Sequence, residues 1–126
     1  MLFDTDVLIW ALRGNRRAAA AIDAADERAV SVVNYMELIQ GARDKRELRL
    51  LRAFLNDLSF FVLPLTENIG HRAAVYMEEY SLKTGLCPAD ALVAATAVEV
   101  QRPLCSANTR HYRRISELEL KPFRPQ

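Results

Sequence analysis

Met1-Leu2-Phe3-Asp4-Thr5-Asp6-Val7-Leu8-Ile9 is the stretch on which the fold turns. Three apolar residues lead straight into two acids, and Val7, Leu8, Ile9 and Leu12 then begin an amphipathic segment. This reads as a short buried strand with Asp4 at its carboxyl end, followed by helical material. In a parallel α/β fold, strand ends and adjacent helix starts meet on one rim of the sheet. An acid at that junction is either a helix cap or part of a site.

The same strand-to-helix step recurs along the chain. Gly14 interrupts the first helical pattern, and the Ala-rich interval from Ala18 to Ala25 favours a helix. Ala29-Val30-Ser31-Val32 supplies a second buried strand, with Asn34 as a candidate cap for a helix that opens near Glu37. Between Asp44 and Asp57, Leu48, Leu51, Phe54 and Leu55 fall at helical intervals, which leaves a basic side wet. Phe60-Phe61-Val62-Leu63 reads as a buried strand stopped by Pro64, and Glu67 to Leu82 as a helix ended before Gly85. Pro88 fits the first turn of the next helix, which carries Asp90 and runs to Val100. Pro103 then precedes a Leu104-Cys105-Ser106 strand, while Pro122 and Pro125 shorten any regular element in the tail. The alternation predicts a compact α/β sandwich with a central short-stranded, mainly parallel sheet flanked by helices.

The chain has 126 residues, enough for one domain with a substantial core, so residues 1–126 are expected to form a single domain. A hydrophobic fraction of 51% and a formal charge of +1 exclude a disordered polycation. Net charge is therefore silent about nucleic acid, but local charge is not. Arg13, Arg16 and Arg17 form one basic region, Lys45, Arg46, Arg49 and Arg52 a second, and Arg110, Arg113 and Arg114 a third. Any one of them reads as a solvated helix face; together, beside a carboxylate pocket, they can attract phosphate. Cys87 and Cys105 have neither zinc-knuckle spacing nor the density of a disulfide scaffold. With no basic leader and no membrane-length apolar run, a cytoplasmic protein is expected.

Asp4, Glu37, Asp90 and the Ser106/Asn108 pair form the candidate centre, with Asp6 as a further candidate ligand. Oxygen donors gathered on one rim suit a hard divalent ion, magnesium first and manganese as its substitute. Each residue also has a plain structural explanation. Asp4, Asp6 and Asp90 sit where acids favour helix N-termini, Asn34 and Glu37 have capping-box spacing, and Ser106 and Asn108 suit a turn. Repetition of acids at several strand-to-helix transitions favours the site. His111 is placed to contact phosphate or orient the late loop, although an isolated histidine is more often structural.

Other chemistries lack their signatures. Gly14, Gly41, Gly70 and Gly85 are dispersed and make no phosphate-binding loop. Neither Ser31 nor Ser106 stands in a nucleophile elbow, which disfavours covalent acyl hydrolysis. Phe60, Phe61 and Tyr76 read as core or interface residues, and Trp10 as a packing residue near the first acids.

Four segments jointly resemble the PIN-domain ribonucleases, specifically the VapC-like toxins. They are Asp4-Thr5-Asp6-Val7-Leu8-Ile9; Ser31 with Glu37-Leu38-Ile39-Gln40-Gly41-Ala42; Pro88-Ala89-Asp90 through Ala97; and Ser106-Ala107-Asn108. The resemblance spans nearly the whole chain. It implies a PIN-like sandwich, magnesium-dependent endoribonuclease activity, a cognate VapB-like antitoxin and a toxin homodimer within the toxin–antitoxin complex. It further implies that Asp4, Glu37 and Asp90 are the metal-binding acids, with Ser106 and Asn108 in the late polar positions. Asp4, Glu37, Asp90 and Asn108 are thereby the catalytic candidates. A further acid is often found where this chain has His111. The implied reaction is in-line attack of water on RNA phosphorus with one or two metal ions.

Arg13, Arg16, Lys45, Arg46, Arg110 and Arg113 are the candidates for guiding RNA, and Trp10, Leu38, Phe54 and Leu58 for apolar contact with a partner. Two readings compete with RNA cleavage. One is structure-specific DNA cleavage, because backbone attraction alone does not select a sugar. The other is a catalytically degenerate scaffold that binds RNA or an antitoxin.

Overall fold

Leu2–Phe3 form β1, and the two side chains point to opposite faces of a sheet that buries both. A computed structural model describes residues 1–126. After β1 come α1 (Thr5–Leu12), α2 (Arg16–Ala24), β2 (Arg28–Ser31), α3 (Val32–Gln40), α4 (Lys45–Asp57) and β3 (Phe60–Leu63). α5 (Glu67–Thr84), α6 (Pro88–Glu99), β4 (Leu104–Ser106), α7 (Thr109–Tyr112) and β5 (Leu120–Pro122) complete the chain. The strands pair in the order β3-β2-β1-β4-β5, and every pairing is parallel.

Strand alternation splits the interior into two layers. Leu2, Ala29 and Leu104 face α5 and α6, where Ile69, Ala73, Tyr76, Val93 and Ala94 pack with Tyr112, Ile115 and Leu118. Phe3, Val30 and Cys105 face the other way, onto Val7 and Leu8 of α1, Ile22 of α2, and Leu51 and Leu55 of α4. α6 is apolar nearly all round, with Ala91, Val93, Ala94, Ala95, Thr96 and Ala97 all buried. The sheet is thus covered on both faces, as a parallel sheet requires.

Two expectations need correction. Phe60–Leu63 is an edge strand rather than a buried one: Phe60 packs edge-on against Phe3, but Phe61 is 63% exposed and Val62 is 41% exposed. Asn34 does not cap α3; Ser31 does, accepting from the Val33 N–H at 3.1 Å, and Glu37 lies well inside the helix instead of at its start. As expected of the proline-limited tail, β5 is only three residues long and ends at Pro122, at the other sheet edge, where a missing N–H is tolerated. The Asn15 side chain donates to the Pro125 carbonyl at 3.0 Å, and Arg17 hydrogen-bonds the carbonyl of Gln126, so the tail closes against the α1–α2 corner.

Candidate active site

β1 lies between β2 and β4: the chain builds β2 and β3 on one side of it and then crosses to β4 and β5 on the other, so its carboxyl end is the switch point of the sheet. The register Phe3↔Cys105 sets Asp4 beside Ser106, while the pairing of β1 with β2 brings the start of α3 to its other side. Asp4 also caps α1, accepting from the Thr5 N–H at 3.0 Å. Capping and site membership coexist in this residue because each uses a different part of the carboxylate's hydrogen-bonding capacity.

A chain of close polar contacts runs across this rim. The Ser106 hydroxyl donates to Asp4 Oδ2 at 2.7 Å. Asn34 Nδ2 lies 2.9 Å from Asp4 Oδ1, 2.9 Å from Thr5 Oγ1 and 3.0 Å from Glu37 Oε1. Thr5 Oγ1 in turn donates to Glu37 Oε1 at 2.8 Å. On the far side, the Asn108 N–H donates to Ser106 Oγ at 2.9 Å, and the Asn108 amide meets His111 Nδ1 at 3.0 Å. His111 Nδ1 reaches Asp90 Oδ2 at 3.1 Å, and the Cys87 thiol donates to the same oxygen at 3.0 Å. Glu37, Asp4, Ser106, Asn108 and Asp90 are therefore linked, with Asn34 and His111 as the connecting groups.

Asp90 sits in the first turn of α6 behind Pro88, where a carboxylate meets the positive end of the helix. Asp6 is tied in from α1: the Ala107 N–H donates to its Oδ2 at 3.0 Å, while its Oδ1 is buried with no partner. Gly85, at φ 76°, ends α5 in the left-handed conformation, and a side chain there would approach His111 Nε2 at 4.0 Å.

The electrostatics follow from crowding. Burial, then the neighbouring Asp6 charge, pushes the Asp4 carboxyl up to about 6, against the opposing pull of the Ser106 hydrogen bond. Burial likewise raises Asp6. The Tyr112 hydroxyl, beside Asp90, is held far up by burial and then by Asp4. Buried oxygen acids, one with an unpartnered atom, lack any Lys or Arg counter-charge among their hydrogen-bond partners. That donor set fits a hard divalent cation. The side chains do not themselves form a cluster of three His, Cys, Asp or Glu ready to hold one, and Asp4 and Asp90 each turn their oxygens to protein donors.

The remaining candidates are spread over several elements. Arg13 and Glu37 line a common groove of about 730 Å³ whose apolar walls are Ile9, Leu12, Leu38, Leu50 and Leu51. Arg16 opens α2, Lys45 and Arg46 open α4, Arg110 lies within α7 and Arg113 ends it. Of the four apolar contact candidates, Leu38 is buried, and Phe54 and Leu58 pack against the core, because α4 turns them inward; only Trp10, 37% exposed, remains on the surface. Sequence reasoning missed Asn34 and Thr5 as site residues. The Asn34–Glu37 interval was the available signal, and a capping box explained it too readily.

Comparison with known proteins identifies the family. The PIN domain family matches residues 1–118. Ribonuclease VapC19 of Mycobacterium tuberculosis is 32% identical over 123 residues, covering 94% of this chain and 96% of the relative. A toxin–antitoxin complex from Klebsiella pneumoniae contains a chain of 28% identity that superposes with a TM-score of 0.81, over 99% of this chain and 97% of the other. VapBC2 from Rickettsia felis, bound to a DNA fragment from its promoter, shares the fold at a TM-score of 0.81 with 16% identity, over 98% of each chain. The chain belongs to the PIN-domain family and is related in sequence and structure to its VapC-like toxin–antitoxin nucleases.

Proposed function

We propose that this protein is a metal-dependent endoribonuclease toxin, acting as one unit over residues 1–126 and neutralised by a small VapB-like antitoxin. The observation that carries the proposal is the chain of close polar contacts from Glu37 through Asp4 and Ser106 to Asp90 at the sheet's switch point. Asp4, Glu37 and Asp90 would hold magnesium, or manganese in its place, with Asp6, Ser106 and Asn108 as supporting oxygen donors. When bound, such an ion supplies Lewis acidity and neutralises charge that builds on the phosphoryl group.

The chain's own groups do the remaining work. Ser106 and Asn34 fix the two Asp4 oxygens, so that the carboxylate needs little reorganisation when the substrate arrives. His111 and Cys87 orient Asp90. Arg13, Arg16, Lys45, Arg46, Arg110 and Arg113 attract and align the RNA backbone around the acids. The exposed apolar surface beside them, including Ile9, Trp10, Leu12 and Leu50, supports association with other chains in a toxin–antitoxin homodimer assembly.

The test is cleavage of matched RNA and DNA substrates over a magnesium titration by the wild type and by folded Asp4→Asn, Glu37→Gln and Asp90→Asn variants. RNA scission that requires metal and is lost in all three variants is expected. Preferential DNA scission would replace RNA as the substrate, and metal-independent binding without scission would establish a scaffold instead. Co-expression with the antitoxin, followed by mass measurement of the complex, tests the partner.

A further inference from the structure

Asn34 carries a burden that neither helix formation nor core packing explains. Its side chain is 1% exposed in the first turn of α3, where Ser31 already supplies the cap. Its Nδ2 faces three acceptors on two elements: Asp4 Oδ1 at 2.9 Å, Thr5 Oγ1 at 2.9 Å and Glu37 Oε1 at 3.0 Å. Two N–H protons serve three acceptors, and Thr5 relieves the shortage by sending its own proton to Glu37. Reversing the amide would set its carbonyl against two carboxylate oxygens, so the orientation is fixed. The cost falls on Asn34 Oδ1, which is buried with no partner.

We propose that Asn34 is a positioning residue for the metal-binding carboxylates, its amide standing between Asp4 and Glu37 and holding them together against their mutual repulsion. The inference rests on the metal-dependent reading above and adds to it a residue outside the acid set. A neutral donor suits this role, because it satisfies both anions without competing as a fixed positive charge when a cation arrives. An apolar side chain at this position would leave Asp4 and Glu37 free to separate. An aspartate would add a third negative charge among them.

The experiment is Mn²⁺ titration of the full chain by calorimetry and by thermal melting, beginning from metal-stripped protein, for the wild type and for Asn34→Ala, Asn34→Ser and Asn34→Asp. Groups that orient metal ligands typically contribute roughly 10–100-fold to affinity. Asn34→Ala is therefore expected to bind Mn²⁺ at least about tenfold more weakly. Asn34→Ser, which restores one donor, should lie between it and the wild type. The Mn²⁺ concentration for half-maximal cleavage should rise in parallel. Asn34→Asp should melt lower without metal and gain more from Mn²⁺ than the wild type does.

Wild-type Mn²⁺ affinity in folded Asn34→Ala would overturn the proposal, whatever its melting temperature, because a purely structural tether would lower stability alone. Should that variant not fold, Asn34→Ser or Asn34→Asp decides: affinity equal to wild type in the first, or a metal-induced gain no larger than wild type in the second, is equally fatal. A wild type that binds Mn²⁺ through Asp4 but cleaves no RNA defeats the ribonuclease reading and leaves the Asn34 assignment standing. Failure of the wild type to bind Mn²⁺ overturns both.

Discussion

Ser106 Oγ donates to Asp4 Oδ2 at 2.7 Å across 102 positions of sequence, and both residues are buried. The bond joins the ends of two neighbouring parallel strands. It also receives support from behind, since the Asn108 N–H donates to the same hydroxyl oxygen. Ser106→Ala is expected to remove the bond and leave Asp4 Oδ2 in need of a donor, with a loss of about 1–3 kcal/mol in unfolding free energy. Urea denaturation checks the loss. Cleavage should fall with it even at temperatures where the variant is fully folded.

Ionisation of Asp4 opposes folding in the absence of metal. Its carboxyl is raised from 3.8 to about 6 by burial and by Asp6, so its protonated form is favoured in the folded state. The stability this confers is fully present below about pH 4 and is lost as pH rises through about 6. A rise of that size corresponds to a cost on the order of 3 kcal/mol at pH 7. Asp4→Asn should therefore melt no lower than wild type in chelator at pH 7.5, and should lose both RNA cleavage and the stabilisation by Mg²⁺. A melting temperature several degrees below wild type in chelator would contradict this account.

Away from the site, Tyr76 and Arg72 hold Glu117: the Tyr76 hydroxyl donates to it at 2.9 Å and Arg72 pairs with it at 2.8 Å and with Glu99 at 2.8 Å. Burial and then the Glu117 hydrogen bond push the tyrosine hydroxyl up to about 12. The sign is that of a raised group: its contribution is intact below pH 10 and disappears as pH rises toward 12. Tyr76→Phe should be less stable than wild type at pH 8, and the gap should narrow across pH 10–12. Thermal melts over that range provide the measurement.

His111 links Asp90 to Asn108 through a single ring nitrogen. That nitrogen donates to one neighbour at a time or accepts from the amide, so the tautomer and the Asn108 orientation are set together. His111→Ala should lower kcat for RNA by at least about tenfold, in line with the typical 10–100-fold cost of losing a group that orients a ligand. Steady-state kinetics at saturating magnesium, on a variant with a cooperative melt, checks the result; unchanged kcat would remove His111 from the mechanism.

The basic candidates should act on RNA rather than on metal. Neutralising Arg13, Lys45 and Arg46, or Arg110 and Arg113, is expected to weaken RNA binding and flatten its dependence on salt while Mg²⁺ affinity is retained. Binding measured at several salt concentrations distinguishes the two effects.

The sequence by itself determined the parallel α/β architecture, because its signals are local. Short apolar runs such as Leu2–Phe3 and Leu104–Ser106, each followed by a helix-starting acid or turn, demand burial on both faces and parallel crossover connections. It also determined which acids end up on the rim, since Asp4 and Asp90 follow directly from where strands stop and helices start. Solvent exposure of Phe61 was beyond it: an apolar run looks the same in the middle of a sheet and at its edge, and only strand order separates them. The connections among the site residues were equally out of reach. Asn34 reads locally as a cap, and only the packing of α3 against α1 turns its amide onto Asp4, Thr5 and Glu37. Capping is decided by a residue's nearest neighbours, whereas a hydrogen bond across 30 positions depends on where the sheet places two helices.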